Sequence, residues 1–192
     1  MKTYQKIEES PKLVISYDQG AQSPREWDNL GYFITVDSRY SSPDKNEEIE
    51  GIVKCEGDNA TSTENHAKLI KEKINSLGEK VLAIYPVSKY EHSGVSYSLG
   101  ESRGFDYSNN GFYIVTERSA KITGTKKKDF EKVIEKELEI YTQWANGENY
   151  RFLLYDNDGE FEDSGGGFYD VEDIREYLPA EWENEDLSQY IK

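Results

Sequence analysis

KDFEKVIEKELEIYTQWANGENYRFLLY, residues 128–155, sets two periodicities side by side. Phe130, Val133, Ile134, Leu138, Tyr141 and Trp144 recur at three- and four-residue spacing, so they share one face of a helix, with Thr125 placed to cap its start and Gly147 its end. YRFLLY at 150–155 lacks that spacing and reads as a strand; Asp156-Asn157-Asp158-Gly159 then forms a hairpin turn and 160–163 the returning strand. A helix with one apolar face must cover something, and the neighbouring hairpin belongs to the sheet it covers.

Upstream, KLVIS (12–16) and YFITV (32–36) are β-prone runs separated by a polar loop, 17–31. Residues 37–61 are polar and acidic, interrupted by Pro43 and Gly51, and read as a mobile insertion with a short strand at 51–55. A first helix spans about 62–77, where Ala67, Ile70, Ile74 and Leu77 share a face, Thr61 with Glu64 offers a capping box and Gly78 a stop. VLAIYP (81–86) and FYIVT (112–116) are continuously apolar and read as buried strands, whereas Val95, Tyr97 and Leu99 alternate with serines as a half-exposed one. A short helix at 171–177 stops before Pro179. This order predicts a single α+β domain over 1–192: a mostly antiparallel sheet covered on one face by two amphipathic helices, ending in an acidic hairpin and short helix.

The 192 residues carry a formal charge of −15, which argues against a protein that coats DNA. Apolar residues make up 35% of the chain, with 15 tyrosines, enough to build a core. The single cysteine, Cys55, forms no intramolecular disulfide and no cysteine-based zinc cluster; with no apolar leader or membrane-length run, the expected compartment is the cytoplasm. No cofactor or metal is implied. Asp156, Asp158 and Glu160 miss the calcium-loop pattern because Phe161 stands where glycine is required, and Gly165-Gly166-Gly167 lacks the lysine of a phosphate loop.

Charge is unevenly placed. Residues 156–192 hold 13 acids against Arg175 and Lys192, a balance of −11, interleaved with Phe161, Phe168, Tyr169, Tyr177, Trp182 and Tyr190. Such a face can imitate nucleic acid and occupy a basic groove on another protein, with Phe168, Tyr169, Asp170, Glu172, Asp173 and Glu176 as its contacts; it can equally be a solvated terminal helix. Lys126, Lys127, Lys128 and Lys132, continuing to Lys136, form a patch able to grip RNA or simply to solvate a helix face. Of the two histidines, His66 falls on an exposed helical face, and His92 follows a buried strand, where Glu91 or Asp106 can orient it as a general acid or base, or a turn can hold it. Trp27 is expected to be a buried pin for the polar loop, with a Trp27→Ala cost of roughly 3–5 kcal/mol.

Ser23-Pro24-Arg25-Glu26-Trp27-Asp28-Asn29-Leu30-Gly31, Tyr90-Glu91-His92-Ser93-Gly94, Phe105-Asp106 with Gly111-Phe112, and Asp158-Gly159-Glu160 through Gly167-Phe168-Tyr169 together resemble a family of small proteins carried by phages, plasmids and conjugative elements of Firmicutes. Where that family's pattern has Asp, Trp and Cys-Trp-Gly, this chain has Glu91, Phe105 and Gly165-Gly166-Gly167. The resemblance implies an accessory function of a mobile element inside a host bacterial cell. Small acidic proteins of that setting resemble inhibitors of host restriction or CRISPR nucleases, some of which provoke truncation of the guide RNA. Three expectations follow: an inhibitor that binds a host defence protein, such as a Cas nuclease or its guide-RNA complex, through the acidic aromatic surface; an RNA-cleaving factor using the lysine patch and His92; or a structural or regulatory module. The recurrent segments are either a shared binding surface or determinants of the fold.

Overall fold

The computed structural model describes residues 12–36, 42–44 and 62–192. In chain order its strands and α-helices are β1 (Leu13–Tyr17), β2 (Tyr32–Thr35), α1 (Thr63–Ser76), β3 (Val81–Glu91), β4 (Val95–Leu99), β5 (Tyr107–Thr116), α2 (Glu117–Thr123), α3 (Phe130–Ala145), β6 (Tyr150–Tyr155) and β7 (Phe161–Phe168). The α+β class stands. The strands form two antiparallel sheets where the sequence suggests one, with orders β2-β5-β3-β4 and β1-β6-β7. The described residues divide accordingly into two compact units, one falling within 23–146 and the other made of 12–22 with 147–192.

In the larger unit the run FYIVT is buried at every residue. Strand side chains alternate between faces, so a continuously buried run needs cover on both. Phe112 and Ile114 face Ile70 and Ile74 of α1, together with Ile34 and Val81. Tyr113 and Val115 face Phe130, Ile134 and Leu138 of α3, together with Leu30 and Phe33. The two amphipathic helices therefore lie on opposite faces of the sheet, correcting the expectation that both cover one face. The reason is visible in 112–116 itself, whose pattern has no polar side to leave in water.

Local details also differ. Ser62, accepting from the Asn65 N–H at 3.3 Å, caps α1, and Thr61 lies outside the described residues. Thr125 does not cap α3; its hydroxyl donates to Thr123 at 2.9 Å, and one 3-10 turn, Lys127–Asp129, precedes the helix. The sequence reading misses α2, a seven-residue helix whose ends are fixed by chemistry and not by apolar periodicity: Thr116 and Ser119 form a reciprocal capping box. Most of the segment read as a mobile insertion, including Cys55 and the strand at 51–55, lies outside the described residues. Ser42 and Asp44 within it are fastened to β2, the Ser42 hydroxyl accepting from Thr35 N–H at 3.0 Å and Asp44 N–H donating to Phe33 C=O at 2.9 Å.

In the smaller unit, Leu13 and Ile15 of β1 lie opposite Leu154 and Phe152 of β6, so all four share one sheet face. That face is covered by Ile174, Trp182 and Leu187 from three successive 3-10 segments, Val171–Tyr177, Ala180–Trp182 and Leu187–Tyr190. The expected C-terminal helix is thus a 3-10 segment with three residues per turn.

Candidate functional site

In the larger unit, the nonapeptide 23–31 is organised by Arg25. Ser23 caps a 3-10 turn, Pro24–Glu26, which turns the Arg25 side chain inward until it is 4% exposed. Its Nε and Nη2 donate to the two carboxylate oxygens of Asp44 at 3.0 and 2.6 Å; Nη2 also reaches Gly31 C=O at 2.7 Å. Nη1 donates to Asn29 Oδ1 and Glu137 Oε2, each at 3.2 Å. These are five bonds for five guanidinium hydrogens, so no donor remains for a ligand.

Glu137 completes the network by accepting from Leu30 N–H at 2.9 Å and from the Tyr113 hydroxyl, which itself accepts from Gly31 N–H at 3.0 Å. Burial by itself would lower the Arg25 pKa, but the hydrogen bond and charge of Asp44 outweigh it and hold the guanidinium above its ordinary value. Burial raises the Tyr113 phenol, and Glu137 adds to the rise against the opposing Arg25 charge. A Cβ at Gly31 would stand 2.1 Å from the Ile114 carbonyl oxygen, so only glycine fits there. The nonapeptide is a folding clamp joining a loop, β2, β5 and α3.

Trp27 corrects the expectation of a buried pin: it is 49% exposed. The inward position within its turn is taken by Arg25, which leaves the indole at the rim of a groove of about 760 Å³ lined also by Asp28, Arg118, Ile122, Tyr141 and Trp144. Trp27→Ala should cost about 1–2 kcal/mol, well below the value for a fully buried ring, and yield a folded protein melting only slightly lower. A thermal melt checks this; failure to fold would restore the pin.

His92 and Asp106 meet, with Nδ1 and Oδ2 3.7 Å apart, beyond hydrogen-bond reach, and with side chains 70% and 37% exposed. Glu91 is engaged instead by Lys89 at 2.7 Å. The β3–β4 hairpin bearing His92 is tied to the C-terminal end of α3, where Asn146 accepts from Val95 N–H at 2.9 Å and donates to Val95 C=O at 2.8 Å. Lys126, Lys127 and Lys128 precede the opposite end of the same 16-residue helix, about 24 Å away, and Lys132 lies in its first turn. The structure does not bring the lysine patch and His92 to one site. His66 is half-buried, its ring 6.2 Å from Phe112 in an edge-on contact, a correction to the exposed face expected for it.

The smaller unit places the acidic residues. With three residues per turn, 171–177 presents three ridges. Val171 and Ile174 enter the core, Glu172 and Arg175 pair at 2.6 Å, and Asp170, Asp173 and Glu176 line up on the exposed side at intervals of about 6 Å. Asp170 also caps the segment, accepting from Glu172 N–H at 2.9 Å. Arg175 turns inward, donating to the carbonyls of Trp182, Glu183 and Glu185 at 2.6, 3.0 and 3.0 Å. Phe168 is half-buried between Phe152 and Tyr177, and Tyr169 is half-buried too, so the outward aromatics are Phe161 and Tyr177.

The glycine run is structural. A Cβ at Gly165 would meet the Phe152 ring at 2.8 Å, one at Gly166 would meet Asp18 Oδ2 at 2.5 Å, and Gly167 adopts φ 78°. Asp156 accepts from the N–H groups of Asp158 and Glu160, both at 2.9 Å, and so serves the hairpin turn. Among the described residues, no group of three or more His, Cys, Asp or Glu is arranged to hold a metal ion, and no helix is long and apolar enough to cross a membrane.

Arg25 and Gly31 were legible as a motif, whereas their partners Asp44, Tyr113 and Glu137 were missed. Glu137 did leave a signal: it is a charge at the i+7 position from Phe130, on the apolar face of α3. No family model matches the chain, and no curated protein or solved structure is significantly similar to it.

Proposed function

We propose that the chain is a mobile-element inhibitor of a host nucleic-acid-directed defence nuclease, of Cas or restriction type, and that it acts by binding the enzyme. Its acidic C-terminal surface docks in the enzyme's basic nucleic-acid groove. The observation that carries this reading is the charge of residues 156–192: 13 acids face two bases, and Arg175 is turned inward onto three backbone carbonyls. The outer ridge of Asp170, Asp173 and Glu176 beside exposed Tyr177 combines charge with an aromatic anchor, the pairing that steers and then holds a basic partner.

Asp170 and Glu172 maintain local structure, so the informative variant is Asp173→Lys with Glu176→Lys, both exposed. Capture of a Cas9-type nuclease by the immobilised protein should fall at least about tenfold with this variant and weaken steeply as salt rises, while the melting temperature holds. Absence of capture, or capture indifferent to both charge reversal and salt, would remove the acidic-surface reading.

A further inference from the structure

The outer edge of β7 carries a second, more specific inference about the same unit. Asp18 N–H donates to Asn149 C=O and Tyr155 N–H to Lys12 C=O, each at 2.8 Å. In an antiparallel ladder, hydrogen-bonded pairs alternate along the strands, so the odd-numbered residues of β6 bond to β1 and the even-numbered residues bond to β7. On the other side of β1, the Ile15 carbonyl accordingly points away from β6 and accepts from Lys192 N–H at 2.9 Å.

Phe152 and Leu154 are therefore the residues bonded to Gly165 and Asp163 of β7. Ser164 and Gly166 then direct their backbone groups out of the sheet. Among the described residues no strand pairs with them, because β7 ends the order β1-β6-β7. Residues 161–164 and 166 are exposed, and Gly166 offers an approaching backbone no side chain.

Edge strands of this kind are templates for a further strand. Here the edge is partly protected: the Asp163 carboxylate accepts the Ser164 N–H at 2.7 Å and occupies the place of an incoming carbonyl. Charge selects what displaces it. Glu160, Glu162 and Asp163 are all exposed along this strand and its approach, and Phe161, 61% exposed, adds an apolar contact. A second copy of the chain would bring another molecule of net charge −15 to an acidic edge. An extended segment alternating Lys or Arg with apolar residues lines one face of this edge with cations, on the side of Asp163, and sets its apolar residues on the side of Phe161, while its backbone pairs with Ser164 and Gly166.

We infer that the outer edge of β7 is a strand-addition site for an extended basic segment of a partner protein. The inference rests on the proposed function only for the choice of a basic partner. Its test uses no nuclease, so the two readings fail separately. The probe is the peptide (Lys-Val)4, titrated into the full-length protein, with (Glu-Val)4 and a (Lys-Val)4 peptide N-methylated at alternate residues as controls.

Binding by (Lys-Val)4 alone is expected, with amide exchange slowed at least about tenfold at Ser164 and Gly166. Ser164→Pro should weaken binding at least about tenfold at unchanged melting temperature, because proline is tolerated on an edge strand where the lost N–H faces outward. Equal binding of the N-methylated peptide would overturn strand addition in favour of simple charge attraction, and this comparison holds even if Ser164→Pro fails to fold. Unaltered binding by a folded Ser164→Pro, or a wild-type dimer in sedimentation that Ser164→Pro dissolves, would overturn it as well.

Discussion

Arg25→Met should destabilise the larger unit by about 3–5 kcal/mol, the cost of leaving buried charges without their partner. Asp44 and Glu137 have side chains only 14% and 17% exposed, and both face the guanidinium. Methionine fills part of the space and returns none of the five hydrogen bonds. Arg25→Lys should recover only a fraction, since an ammonium retains the charge but not the planar fork that meets both Asp44 oxygens. Urea unfolding followed by tryptophan fluorescence measures both. The triple variant Arg25→Met, Asp44→Asn, Glu137→Gln should be more stable than Arg25→Met alone, because it removes the stranded charges. An unfolding midpoint for Arg25→Met equal to wild type would show that the network contributes nothing.

Trp182→Ala should cost the smaller unit a similar amount, about 3–5 kcal/mol. The ring is 5% exposed, packs edge-on against Tyr190 at 5.2 Å and belongs to the core formed with Leu13, Ile15, Phe152 and Ile174. Loss of the ring should free residues 178–192, whose carbonyls at 182, 183 and 185 are the ones Arg175 holds. Limited proteolysis should then trim this tail in the variant and spare it in the wild type. Trp182→Phe should cost clearly less, because the indole N–H is buried with no acceptor among the described residues, and its removal loses no hydrogen bond. A Trp182→Ala protein with an intact tail and an unchanged melt would assign this residue to a surface and not to the core.

The acidic terminal region illustrates how far composition reaches. Its charge and aromatic content were plain in the sequence, but which aromatics face outward was not. Phe168 and Trp182 pack inward, while Phe161 and Tyr177 are exposed. For Phe161 and Phe168 the difference follows from the pleat of β7, which sets them opposite Tyr155 and Tyr150 on different faces, and Tyr177 is exposed because it closes its 3-10 segment at the end of the ridge that Val171 and Ile174 bury. Arg175 looked like one of two bases diluting the charge, and in place it fastens the tail that carries much of that charge.

The sequence by itself determined the α+β class, the two long helices, the buried character of 112–116 and the hairpin at 156–159, because each depends on residues within a few positions of one another. Tertiary structure alone decided that β1 pairs with β6 across more than a hundred residues, that the helices take opposite faces of one sheet, and that Arg25 meets Asp44 and Glu137. Those outcomes are set by which surfaces remain uncovered once local elements exist. Tyr113 and Val115 need cover as much as Phe112 and Ile114 do, and a buried guanidinium needs five acceptors from wherever the chain can bring them.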